Sequence, residues 1–207
     1  PRFARPLRDE DALRALAAPD PSAELRYVLE AVRVTRRALA GRVPLIGFAG
    51  SPWTVGTYIV EGGSSREFSR IKTMMYDEPA TLRSLLQLLA DSTRLYLNAQ
   101  IAAGAQAVMI FDSWGGALAD GAFQKFSLSY TKKIVANLPL QANRGSFTED
   151  IPSIVFTKGG GLWLEDIASS GASAVGVDWT VNLGQARARI GDRCAIQGNL
   201  DPTALLA

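Results

Sequence analysis

Five short apolar runs, each closed by a polar or glycine-rich turn and followed by a helical stretch, constrain this chain more than any other feature. The first such unit is Val43 to Ser64, VPLIGFAGSPWTVGTYIVEGGS. Its apolar run, Val43 to Phe48, has strand length and composition. Ala49-Gly50-Ser51-Pro52 then turns the chain, and Gly62-Gly63 ends the segment that follows. The other predicted strands are Ala105–Phe111, Ile151–Phe156, Ala174–Val177 and Arg193–Gln197. Their closing turns begin Asp112-Ser113-Trp114, Thr157-Lys158-Gly159, Asp178-Trp179-Thr180 and Gly198-Asn199-Leu200-Asp201. Strand–helix alternation builds a parallel sheet with covering helices. Strands apolar on both faces suit a barrel or a doubly wound sheet. A closed (β/α)8 TIM barrel takes about 250 residues and eight strands. Five units in 207 residues therefore predict one α/β domain, 1–207, holding an incomplete barrel, with a five-stranded doubly wound sheet as the alternative.

The helices are predicted from apolar spacing and caps. One short helix is expected near Asp9 to Ala17. A second, capped by Ser22, carries Leu25, Val28, Leu29, Val32 and Leu39 and ends at Gly41. Ser64 or Ser65 is expected to cap a helix running to about Met75. A long helix from Ala80 to about Ala103 buries Leu82, Leu85, Leu86, Leu89, Leu95 and Leu97, and Gly104 closes it. Ala117–Asn137, Leu162–Ser170 and Leu183–Ile190 are helical, a last helix begins at Thr203, and Leu138–Asp150 is a surface loop.

Composition bounds the function. Net charge is +2, too weak to argue for nucleic acid or a membrane surface. The chain has no histidine, which excludes from it a Ser-His triad, a His-ligated metal and a His general base. Its one cysteine, Cys194, sits in an apolar segment and reads as a small buried hydrophobe. A lone cysteine fits a reducing compartment, and a cytoplasmic location is expected. No apolar run reaches membrane-spanning length. The chain starts at Pro1 without an initiator Met and is expected to be an excerpt of something longer.

Parallel strands place their C-terminal ends on one face, where sites are built. Trp53, Thr54, Thr57 and Tyr58 are expected there, with Ser113, Trp114, Lys158, Trp179 and Asn199. Trp53 and Tyr58 are equally open to a reading as core aromatics. Asp112, Asp178 and Asp201 can bind a cation or act as acid and base, or simply cap the loops they begin. Lys158-Gly159-Gly160-Gly161 can cradle an anion but is not a Walker A loop. No G-x-G-x-x-G follows a strand, so dinucleotide binding has little support.

Five stretches carry a resemblance: GFAGSPWTVGTYIVEGG (Gly47 to Gly63), FDSWGG (Phe111 to Gly116), FTKGGG (Phe156 to Gly161), GVDWT (Gly176 to Thr180) and QGNLDP (Gln197 to Pro202). In this order, each after a predicted strand, they resemble the uroporphyrinogen decarboxylase family. The resemblance implies a distorted (β/α)8 barrel, a homodimer, and a cleft at the strand C-terminal ends. It implies conversion of the four acetate side chains of uroporphyrinogen III to methyl groups, giving coproporphyrinogen III, without a metal or organic cofactor. It matches Tyr58 to the family's active-site tyrosine, Ser113 to a residue contacting a substrate carboxylate, and Phe48 to the cleft wall. It also implies that the family's key aspartate, its arginine-rich carboxylate-binding loop and its cleft histidine lie outside these residues. The fragment alone is then expected to be inactive and to expose edge strands. Two alternatives are a zinc- or corrinoid-dependent methyltransferase of the wider superfamily, and a non-catalytic fragment.

Overall fold

The structure, a computed structural model, describes residues 3, 5–138, 142–144, 147–149 and 151–206. Three helices lead in: α1 (Glu10–Arg14), α2 (Pro21–Glu24) and α3 (Arg26–Leu39). The barrel segment follows as β1 (Ile46–Gly50), α4 (Pro52–Glu61), α5 (Ser69–Asp77), α6 (Pro79–Ala103), β2 (Ala107–Asp112) and α7 (Ser129–Ala136). A small ribbon pairs β3 (Ala142–Arg144) antiparallel with β4 (Phe147–Glu149). Then come β5 (Ser153–Thr157), α8 (Leu164–Ala168), β6 (Ala174–Gly176), α9 (Leu183–Ile190) and β7 (Ala195–Gln197).

The main sheet is parallel in the order β1-β2-β5-β6-β7. Each strand lies beside the next one of the sheet in sequence, without the reversal of order that defines a doubly wound sheet. Sequential parallel order with helical returns is the topology of a barrel, so this is an incomplete (β/α)8 barrel of five strands.

Register sorts the strand residues into two faces. On the outer face Ala49, Ile110, Val155, Val175 and Ile196 lie in one row across the sheet. The first four are buried under the helices. The inner face carries two rows. Phe48, Met109, Ile154, Ala174 and Ala195 form one, and Gly50, Phe111, Phe156, Gly176 and Gln197 the other, nearer the strand C-termini. Such layers of side chains from neighbouring strands fill the inside of a barrel. A Cβ on Gly176 would stand 3.0 Å from the Phe156 Cβ and 3.1 Å from its Cδ2, so glycine is what lets Phe156 pack this close to β6.

Helix α6 carries most of the outer packing. Leu82, Leu85, Leu86 and Leu97 are fully buried on it, while Leu89 and Leu95 are half-buried flanks. Gln100 on the same helix does something the apolar spacing does not announce. Its amide accepts from the Phe48 N–H at 3.1 Å and donates to the Phe48 C=O at 3.0 Å. The edge of β1 facing away from β2 is therefore satisfied at that residue by a buried side chain, a partial exception to the expected bare edge.

Several boundaries differ from the sequence-based expectation, each for a local reason. β1 runs on to Gly50, because Ser51 and Pro52 begin a helix and do not form a turn. Proline is at home in the first helical turn, where its missing N–H has no partner to lose. Asp20, not Ser22, caps α2, its carboxylate accepting from the Ser22 N–H at 2.8 Å. Of the apolar positions expected to be buried on α3 only Leu29 is, and Ala40 caps that helix in the left-handed region ahead of Gly41. Ser65 accepts from the Phe68 N–H and closes a turn, so α5 starts only at Ser69. The 117–137 helix is broken into a 3-10 turn at Gly115–Ala117, a π turn at Gln124–Leu128 and α7. The last helix is a 3-10 turn, Pro202–Leu206. Of the expected 138–150 loop, β3 and β4 form a ribbon; residues 139–141, 145–146 and 150 lie outside the described residues.

Candidate active site

The strand C-termini meet in a rim whose polar groups fall into two sets. The first set is locked. Asp112, at the end of β2, is 2% exposed and accepts from three hydroxyls: Ser51 at 2.7 Å, Thr54 at 2.8 Å and Ser127 at 2.5 Å. The Gly115 N–H adds a fourth bond. Burial pushes the Asp112 carboxyl above the ordinary carboxylate range, more than these hydrogen bonds pull it down. Gly115 is required there, because a Cβ would stand 2.2 Å from the Asp112 Oδ2. Ser51 serves twice, since its oxygen also accepts from the Thr54 N–H at 3.1 Å and so caps α4. Thr54 accepts in turn from the Trp114 N–H at 3.2 Å. Trp53 is fully buried and its Nε1–H donates to the Trp114 carbonyl at 3.0 Å. Thr57 is buried and donates to the Thr54 carbonyl.

Trp53, Thr54 and Thr57, expected to face a ligand, are therefore structural. The physical reason is the short approach of α4 to β2, which leaves no water to satisfy these groups and makes them satisfy one another. Asp178 behaves alike. Its oxygens accept from the Gly159 N–H at 2.6 Å and from the Thr180 N–H at 3.0 Å and its hydroxyl. Burial pushes its carboxyl up, but the bonds from Thr180 and Gly159 prevail and hold it below the ordinary value. The glycine-rich turn after Lys158 thus spends the Gly159 N–H on a protein carboxylate, not on a bound anion. Asp201 caps the last turn, accepting from the Thr203 N–H and hydroxyl at 2.9 and 2.7 Å. Asn199 donates to the Asp178 and Val181 carbonyls and ties the end of β7 to that of β6. Asp178 and Asp201 take the capping role, while Asp112 is held chiefly by hydroxyls from α4 and the 124–128 turn. Among the described residues no group of three or more His, Cys, Asp and Glu side chains is placed to hold a metal ion. Cys194 is half-buried, and burial pushes its thiol up.

The second set is open. Phe48, Phe111 and Phe156 form an aromatic ladder across the inner face, with edge-to-face contacts at 5.8 and 5.9 Å between ring centroids. Phe48 is 60% exposed. A groove of about 420 Å³ opens on this ladder, lined by Met109, Phe111, Phe156, Trp179 and Leu200 among others. Beside Trp179, which lines it, Lys158 reaches over two indoles, its Nζ lying 5.8 Å from the Trp114 ring centroid and 5.7 Å from that of Trp179. Tyr58, half-buried on α4, packs edge-on against the other side of this cluster, 6.2 Å from Trp114. Ser113 is half-buried in the turn that leaves β2, between Asp112 and Trp114. Trp114 links the three, touching Tyr58 and Lys158 and following Ser113 in sequence.

The whole chain, residues 1–207, matches the family described as uroporphyrinogen decarboxylase (URO-D). This chain belongs to the uroporphyrinogen decarboxylase family. It is 60% identical over 207 residues to the uroporphyrinogen decarboxylase of Thioalkalivibrio sulfidiphilus and 60% identical over 207 residues to that of Aromatoleum aromaticum. It is 61% identical over 205 residues to that of Bordetella petrii. All or nearly all of this chain is covered in each, 99–100%, against 56–58% of the relative's length. Among solved structures, a methyltransferase from Methanosarcina mazei superposes with a TM-score of 0.77 over 96% of this chain and 55% of its own. At 20% identity that likeness shows the shared barrel fold alone.

Against this family frame, the three residues singled out by resemblance separate. Tyr58 packs on Trp114, Ser113 precedes Trp114 in the turn after β2, and Phe48 stands one row deeper on the inner face. Sequence reasoning missed Phe111 and Phe156 as inner-face residues. Strand alternation could have found them, since each lies one residue before the polar residue that opens its closing turn, Asp112 or Thr157, and so faces the other way. It also missed Ser127 and Gln100, for which no local signal exists.

Proposed function

We propose that this chain forms the central part of a uroporphyrinogen decarboxylase and that its inner face is one wall of the cleft. The observation that carries this reading is the family match along the whole of residues 1–207. The open aromatic ladder supports it, because a flat, largely apolar macrocycle needs such a wall. In the reaction, the C–C bond to an acetate carboxylate breaks and CO2 leaves. The electron pair passes into the adjoining pyrrole, which has first taken up a proton; a second proton is then delivered to the methylene carbon to make the methyl group, and the ring gives its first proton back, so one proton is consumed for each CO2 released. The substrate's own ring is the electron sink, so the proposed chemistry uses no metal or organic cofactor. What the protein must supply is orientation, charge stabilisation and exclusion of water. Phe48 gives apolar surface, the Ser113 hydroxyl bonds a substrate carboxylate, and the Tyr58 hydroxyl stands near the reacting group. The aspartate, arginines and histidine that the family resemblance implies belong to the rest of the barrel.

The same reading makes residues 1–207 part of a single domain, around one continuous core, and the whole enzyme a cytoplasmic homodimer acting on a small tetrapyrrole rather than on nucleic acid or membrane. No helix among the described residues is long and apolar enough to cross a membrane. The test is an anaerobic assay of the whole protein for CO2 and coproporphyrinogen from uroporphyrinogen III. Turnover is expected, and Tyr58→Phe is expected to slow it by roughly 10²-fold. No product from the intact protein overturns the reading; full activity in Tyr58→Phe removes that residue from the mechanism.

A further inference from the structure

We propose that Lys158 binds a substrate carboxylate that is held and not removed, beside the inner-face groove. This rests on the decarboxylase reading above and assigns it an anchoring residue beyond Tyr58, Ser113 and Phe48. Four observations carry it. Lys158 is exposed in the turn that leaves β5, and its ammonium lies over Trp179, which lines the groove, and over Trp114, which touches Tyr58. The cation therefore stands between the groove and the Tyr58 cluster. It forms no ion pair within 4.0 Å with any carboxylate among the described residues. The nearby carboxylate, Asp178, feels the Lys158 charge from beyond ion-pair distance, and its oxygens are held on Gly159 and Thr180. Finally, Trp179 is 42% exposed, a large apolar surface left open beside a cation.

The physical sense is as follows. Two indole faces hold the ammonium by cation–π attraction without neutralising it, so the side chain is ordered in advance yet keeps its capacity for an anion. A ligand whose ring lies on Phe111 and Phe156 and whose periphery carries carboxylates would bring one of them to this cation. That carboxylate is not a reacting one. Decarboxylation moves negative charge off the carboxylate, so a cation paired with the reacting group would stabilise the ground state more than the transition state. Lys158 therefore contributes uniform binding: it lowers KM and leaves kcat alone.

The experiment is steady-state kinetics of the whole protein with uroporphyrinogen III under reducing conditions, for wild type, Lys158→Gln and Lys158→Arg. Binding of coproporphyrinogen and of its tetramethyl ester is measured alongside, with a thermal melt of each variant. Lys158→Gln is expected to raise KM roughly tenfold, the worth of one charge-assisted bond at a partly open site, with kcat within about twofold. Affinity for the tetracarboxylate should fall by the same factor and affinity for the ester should not change, while Lys158→Arg recovers most of the loss. An unchanged KM in Lys158→Gln, with the wild type active, overturns the inference and leaves the decarboxylase reading standing. Equal loss for acid and ester overturns it too, reducing Lys158 to a strut of the rim. A fall in kcat at constant KM overturns it in favour of a role at the reacting carbon. A wild type that neither turns over nor binds the porphyrinogens overturns both.

Discussion

The outer and inner faces of the same five strands use the same residue types to opposite ends. On the outer face Ile110 and Val155 are buried to within 1% under the helices, and the polar groups that reach that side, Asp112 with Ser51, Thr54 and Ser127, are saturated by one another. On the inner face Phe48 is mostly exposed, Trp179 nearly half so, and Lys158 forms no ion pair within 4.0 Å among the described residues. Both faces are apolar by composition. The difference lies in what covers them: α4, α6, α8 and α9 pack on the outer side, while the inner side faces the part of the barrel that these residues, 56–58% of the relatives' length, do not span.

The comparison can be broken most directly at its buried end. Ile110→Ala on the outer face should cost about 3–4 kcal/mol of unfolding free energy in urea, through lost burial and an unfilled cavity. A cost under about 1 kcal/mol would mean that the helices do not close that face. Next in size is Asp112→Ala, which strands four donors around an empty acceptor and should cost about 3 kcal/mol.

Asp112→Asn sharpens the same point through pH. The folded carboxyl titrates above the unfolded one, so the folded state takes up its proton first as pH falls. Stability contributed by that protonation is absent above the folded value and complete below the unfolded one. Relative to Asp112→Asn, which does not titrate, the wild type should therefore gain stability as pH is lowered toward about 4. The opposite slope would show that the hydroxyl donors outweigh burial. The smallest effect is expected on the inner face. Phe48→Ala should change stability by no more than about 0.5 kcal/mol while weakening coproporphyrinogen binding. If it destabilises as much as Ile110→Ala, the two faces are alike and the inner one is core.

Much of this architecture was legible in advance. All five strands of the main sheet were placed within about three residues of their observed ends, the usual uncertainty of element boundaries. Apolar runs bounded by glycine and polar residues are a local signal, as are the Leu spacing of α6 and the Gly104 that ends it. The site was legible only as a region. Residues at strand ends were named together, but the chain does not say which of them are spent on each other. Thr54 and Tyr58 lie four residues apart on one helix, yet Thr54 is locked to Asp112 and Tyr58 faces Trp114.

The sequence by itself determined the order of strands and helices, the barrel-type alternation, the absence of histidine chemistry from this chain, and the motifs that resemble one family. Tertiary structure alone decided that Asp112 is a hub for hydroxyls up to 61 residues away, that Gln100 seals the edge of β1, and that Lys158 rests between two indoles. The physical reason is that periodicity and capping are written in spacings of two to four residues. The partner of a buried polar group is instead set by sheet register and by how closely one helix approaches a strand, and neither leaves a mark on its own stretch of chain.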